Sequence, residues 1–95
     1  MGIEELKAKR EAILRIASRH GARQVRVFGS VARGESEAGS DVDLLVRLDP
    51  GVTLLQHAAL ARELSALLGC SVDVISERGL RPSLRESVLQ EAVPL

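Results

Sequence analysis

Ninety-five residues with 45% apolar side chains are enough for one small globular domain with a real core, and little more. Thirteen basic and thirteen acidic side chains cancel, so the basic excess of a non-specific nucleic-acid binder is missing and direct nucleic-acid binding is not expected. Cys70 is the single cysteine, which excludes an internal disulfide; no run approaches a membrane span, and the charged start MGIEELKAKRE does not read as a signal peptide, so the expected location is the cytoplasm.

Ile3, Leu6, Arg10, Ile13, Leu14 and Ala17 recur at the spacing of one helix face, and Gly21 fits a glycine that ends this helix. Gln24–Phe28 alternates polar and apolar residues through Val25 and Val27 and stops at Gly29, which predicts a short strand. Ser30–Arg33 reads as the first turn of a short helix, and Gly34–Ser40, small and acidic, as an exposed loop. Val42–Leu48 is a second strand, apolar enough to be central, and Pro50-Gly51 turns the chain. Thr53 and Gln56 make a capping box for a helix carrying Leu54, Leu55, Ala58, Ala61, Leu64, Leu67 and Leu68, which Gly69 terminates. Cys70–Ile75 is a third strand. Pro82 suits the first turn of a last helix, with Leu84, Val88, Leu89 and Ala92 facing inward. The order α-β-α-β-α-β-α predicts an α/β domain with a mixed sheet of three strands, or slightly more, packed with helices.

Three features could carry chemistry. Gly29-Ser30 follows a strand; glycine lets the backbone approach a ligand closely, the N–H groups that follow suit an anion, and Ser30 adds a hydroxyl. An ordinary strand-to-helix turn would look the same. Asp41 and Asp43 stand at i and i+2 at the head of an apolar strand, so their side chains share one side, roughly 6–7 Å apart. Two carboxylates there repel unless a cation lies between them, although solvation at a strand edge also accounts for them. Asp73 sits in Val-Asp-Val-Ile and needs a partner or a purpose. If the second and third strands are neighbours, it joins the pair, and three carboxylates could bridge two Mg²⁺ ions; an arginine partner is the alternative. Arg33 is a cation just past the turn, open either to phosphate charge or to Glu35 or Glu37. His20 and His57 have no ligand-like companions and read as structural, and Cys70 as a small core residue. Phe28 is the only aromatic residue, so no Trp or Tyr is present to stack on a base.

Gly29-Ser30-Val31-Ala32-Arg33-Gly34, then Ser40-Asp41-Val42-Asp43-Leu44, then Val72-Asp73-Val74-Ile75, together resemble the DNA polymerase β-like nucleotidyltransferase superfamily. Length and pattern are most similar to its minimal nucleotidyltransferases, many of them antitoxins paired with a HEPN-domain toxin. The resemblance extends over nearly all of residues 1–95, including Glu91-Ala92-Val93, and implies a single minimal nucleotidyltransferase domain. It implies that Asp41, Asp43 and Asp73 hold two Mg²⁺ ions, with Mn²⁺ as a substitute, and that Asp73 helps deprotonate the attacking hydroxyl. It implies that Gly29 and Ser30, with Arg33 nearby, bind the triphosphate of ATP, and that AMP passes to a tyrosine of the toxin in a hetero-oligomer. Two other functions fit the same residues: an antitoxin that acts by binding alone, and a transferase for a small-molecule hydroxyl.

Overall fold

The computed structural model describes residues 1–35 and 41–95. The expected Gly34–Ser40 loop lies mostly outside them. Helix α1 (Ile3–Ala8) is followed by α2 (Arg10–Arg19), strand β1 (Ala22–Phe28), strand β2 (Val42–Leu48) and helix α3 (Leu54–Leu68). Strand β3 (Val72–Ser76), a 3₁₀ turn (Glu77–Gly79), helix α4 (Pro82–Glu91) and a two-residue strand β4 (Val93–Pro94) complete the chain. The sheet order is β3-β2-β1-β4. β1 runs antiparallel to β2 and β4, and β2 runs parallel to β3, as a strand-helix-strand crossover through α3 allows.

The alternation of β2 decides which face is which. Val42, Leu44 and Val46 are fully buried and meet Leu6 of α1, Ile13 and Ala17 of α2, and Leu60, Leu64 and Leu68 of α3 in one core. Burying each of these large side chains is worth about 1.5–3 kcal/mol. Successive strand side chains point to opposite faces, so Asp43 lies on the face turned away from that core.

The capping box at Thr53 forms as predicted: Thr53 Oγ1 accepts the Gln56 N–H at 3.1 Å, and Gln56 Oε1 accepts the Thr53 N–H at 2.8 Å. Gly69 ends α3 in the left-handed conformation with φ +70°. α3 also covers the outer edge of β3. Ser65 Oγ accepts the Val72 N–H at 3.1 Å, and His57 Nε2 meets the Val74 carbonyl at 2.6 Å, so edge groups that could recruit another strand are already paired.

The structure departs from the sequence expectations at several points. The N-terminal helix is two helices that break at Lys9, and Arg10, placed on the buried face by spacing, is exposed. β1 begins two residues before Gln24, whose φ of +51° accompanies an irregularity in register between Arg23 and Arg26. β3 is shifted to Val72–Ser76. Ser30–Arg33 is a run of turns and not a helix. α4 has no fully buried residue, and Leu84, expected inward, is 52% exposed. The strand after α4 was not expected: it is too short to show a periodicity.

Candidate active site at the strand ends

β2 and β3 align so that Asp43 stands directly beside Asp73. Neighbouring strands lie about 4.8 Å apart, so these two side chains emerge next to each other on the same face. Asp41, two residues before Asp43, is exposed at the entrance to β2. On the other side of Asp43, β1 presents Phe28 in register, and the chain then turns at Gly29.

Gly29 is required there by geometry. Its φ is +76°, and a Cβ on it would collide with Asp43 Oδ2 and lie 3.3 Å from Asp43 Cγ. The Asp43 carboxylate therefore packs against the bare Cα of Gly29. Behind Gly29 the backbone winds tightly: Arg33 N–H donates to the Gly29 carbonyl at 3.2 Å, Gly34 N–H to Val31 at 3.2 Å, and Glu35 N–H to Ser30 at 2.9 Å. Val31 is buried and anchors this turn in the core, while Ser30 stays partly accessible beside Gly29.

The electrostatics of Asp43 record what surrounds it. Its carboxyl is pushed above the ordinary carboxylate value, first by burial, then by the negative charge of Asp73 and of Asp41. Arg33 acts in the opposite direction and Glu91 adds to the rise. Asp43 thus carries an unfavourable charge that Arg33 offsets only in part and that no ion pair among the described residues neutralises. Asp73 makes no ion pair with an arginine among the described residues, so the arginine partner considered for it is not seen there. Three hard carboxylate donors with uncompensated repulsion suit a divalent cation of the magnesium type. Among the described residues, however, no three His, Cys, Asp or Glu side chains converge on one coordination point. Strand pairing brings the aspartates to one place without closing them around it.

Arg33 is not free. Its Nε donates to Glu35 Oε2 at 3.0 Å and its Nη1 to Glu91 Oε1 at 2.8 Å, so the Glu35 alternative considered for it is realised. Glu91, at the end of α4, also accepts the Gly29 N–H at 2.7 Å. The site reading from sequence did not include Glu91, although the Glu91-Ala92-Val93 run was the available signal. His20 Nε2 lies 3.1 Å from Glu63 Oε2 and His57 serves the β3 edge, so both are structural as expected. Cavities along α4, at the ends of the sheet and at the junction of α1 and α2 are lined by residues other than Asp41, Asp43 and Asp73.

No helix among the described residues is long and apolar enough to cross a membrane. Residues 9–95 match the family model of the nucleotidyltransferase domain. The chain is 40% identical over 78 residues to the protein adenylyltransferase MntA of Thermococcus cleftensis, an alignment that covers 82% of this chain and 79% of that protein. A solved structure described as a "putative minimal nucleotidyltransferase" is 60% identical and superposes with a TM-score of 0.89, covering 100% of this chain and 97% of the other. The same fold recurs in a solved complex of a tri-AMPylated Shewanella oneidensis HEPN toxin with an MNT antitoxin; there the TM-score is 0.71 at 18% identity, over 93% of this chain and 69% of the other. A glycine turn on one strand, held against an aspartate that is paired in register with a second aspartate, is thus set in a chain that belongs to the nucleotidyltransferase domain family.

Proposed function

We propose that this chain transfers AMP from ATP to a tyrosine hydroxyl of a HEPN-domain partner and so acts as the antitoxin of a two-protein module. The observation that carries the reading is the register of Asp43 with Asp73 beside the Gly29 turn. That placement brings two carboxylates side by side next to the turn that carries Ser30. The named activity of the Thermococcus relative, and the AMPylated HEPN toxin in the Shewanella complex, supply the acceptor class.

In this reading Asp41, Asp43 and Asp73 would hold two Mg²⁺ ions, for which Mn²⁺ could substitute, and the ions would supply positive charge to offset that of the triphosphate and of pyrophosphate. Ser30 and the backbone at Gly29 take the terminal phosphates, with Arg33 beside them. Asp73, the more exposed of the registered pair, accepts the proton of the attacking hydroxyl. The acceptor oxygen then forms a bond to the α-phosphorus, the bond between the α-phosphorus and its bridging oxygen breaks, and pyrophosphate leaves. Residues 1–95 act as one domain, and the partner protein brings the acceptor.

Incubation of the chain and a HEPN-domain partner with ATP labelled at either the α- or the γ-phosphorus tests this. Label from the α-position on the partner, and none from the γ-position, is expected. Label from the γ-position would make the chain a kinase, and no label from either would remove the transferase reading.

A further inference from the structure

Glu91 occupies an unusual place in the sheet. β4 pairs with β1 at Val27↔Val93 and Arg26↔Pro94, and the Leu95 N–H donates to the Val25 carbonyl at 3.0 Å. Continued by two residues, this ladder would set Gly29 opposite Glu91. There the chain is the last residue of α4, so the backbone ladder stops. The Glu91 side chain takes its place: Oε1 accepts the Gly29 N–H at 2.7 Å. The same oxygen accepts Arg33 Nη1 at 2.8 Å. One carboxylate oxygen therefore fastens both the first residue of the turn and its cation to the C-terminal end of α4. Gly29 is held from the opposite side by the Asp43 carboxylate against its Cα.

We propose that Glu91 is the positioning residue of the nucleotide site, holding Gly29 and Arg33 in the arrangement that receives the triphosphate. The inference rests on the nucleotidyltransferase reading above and extends it to the C-terminal segment, residues 91–95. The geometry favours holding over blocking. A guanidinium has five N–H donors in a fixed fork, and Glu35 and Glu91 engage Nε and Nη1. The bonds to Glu35 and Glu91 run through Nε and Nη1, and Nη2 is the fork's remaining nitrogen that an incoming phosphate oxygen would meet. Glu91 thus fixes the plane of the fork without using all of it. Losing that hold leaves Arg33, among the described residues, tethered to Glu35 in its own exposed turn. Arg33 would then have to be ordered each time nucleotide binds.

The test is steady-state adenylyl transfer to the partner protein at varied MgATP, with wild type, Glu91→Ala, Glu91→Gln and Glu91→Asp. Glu91→Ala should raise KM for MgATP about tenfold, the scale of one charge-assisted hydrogen bond, while kcat stays within about threefold. Glu91→Gln still accepts from the Gly29 N–H but loses the charge on Arg33, so its KM should lie between the two. Glu91→Asp keeps the charge and should recover part of the loss. If Glu91→Ala fails to fold, the Gln and Asp variants carry the comparison. An unchanged KM in a folded variant with a lower melting temperature would make Glu91 purely structural and overturn the proposal. A lowered KM would also overturn it, by showing that Glu91 competes with the triphosphate. Wild type without transfer would overturn the nucleotidyltransferase reading and this inference with it, whereas active wild type with unaffected variants overturns the inference alone.

Discussion

Gly29→Ala should be far more damaging than an alanine at another left-handed glycine, because two costs coincide at Gly29. The first is conformational: φ is +76°, and an L-residue in the left-handed region costs about 1–2 kcal/mol. The second is the collision of the new Cβ with Asp43 Oδ2, which forces the aspartate off its rotamer or the turn off Asp43. A displaced rotamer adds about 0.5–1.5 kcal/mol, which brings the total to about 1.5–3.5 kcal/mol. Gly69 is the control, since its φ is +70° and an added Cβ meets nothing within 4 Å among the described residues. Both alanines reduce the entropy of the unfolded chain equally, so this contribution cancels in the comparison. In a domain of this size 1 kcal/mol corresponds to a shift of about 4–8 °C in Tm. Thermal melts in EDTA should therefore place Gly29→Ala several degrees below Gly69→Ala. Adding Asp43→Ala to Gly29→Ala should recover the difference, because the colliding atoms are gone. Equal melting of the two glycine variants, or no recovery in the double variant, would refute the packing of Asp43 against Gly29.

Asp43→Asn should melt above wild type in metal-free buffer at neutral pH. The raised proton affinity of folded Asp43, from burial, Asp73 and Asp41, means that its stability contribution is complete below the unfolded value of 3.8 and is lost as pH rises through the higher folded value. The gain of the variant over wild type should vanish below pH 3.8, and a variant that melts lower at neutral pH would contradict the repulsion. Asp73→Asn should cut transfer by about 10²-fold or more while ATP binding weakens only modestly, the pattern of a lost general base, and a near-normal rate would make Asp73 structural. Ser30→Ala should weaken binding of a triphosphate analogue by about 1–2 kcal/mol, measured calorimetrically, as for one hydrogen bond to a charged group.

The parts of the fold legible in the sequence are those with local chemical signatures. The Thr53 capping box, the Gly69 terminator, Pro82 at the start of α4 and the apolar run of β2 each formed as their chemistry predicts. The break at Lys9 was hidden because spacing alone continues smoothly from Leu6 to Ile13. The inward face expected for α4 holds at Val88, Leu89 and Ala92, which are half-buried, and fails at Leu84, because periodicity shows that a helix has an apolar side without showing that anything covers all of it. In the site, the i, i+2 spacing of Asp41 and Asp43 was readable, but the position of Asp73 beside Asp43 depends on β2 and β3 being parallel neighbours, a long-range pairing. The role of Glu91 depends on the end of α4 returning to Gly29, which no local pattern encodes. For Arg33 both a phosphate and a carboxylate partner were open in the sequence, and the structure adds Glu91 to the expected Glu35.

The central claim is that the aspartates at the strand ends form a metal-dependent triphosphate site. Isothermal calorimetry with a non-hydrolysable ATP analogue, in magnesium and in EDTA, on wild type and Asp43→Asn, tests it most directly. Binding by wild type in magnesium, lost both in EDTA and in the variant, is the predicted result; equal affinity in magnesium and EDTA, or an unimpaired Asp43→Asn, would contradict it.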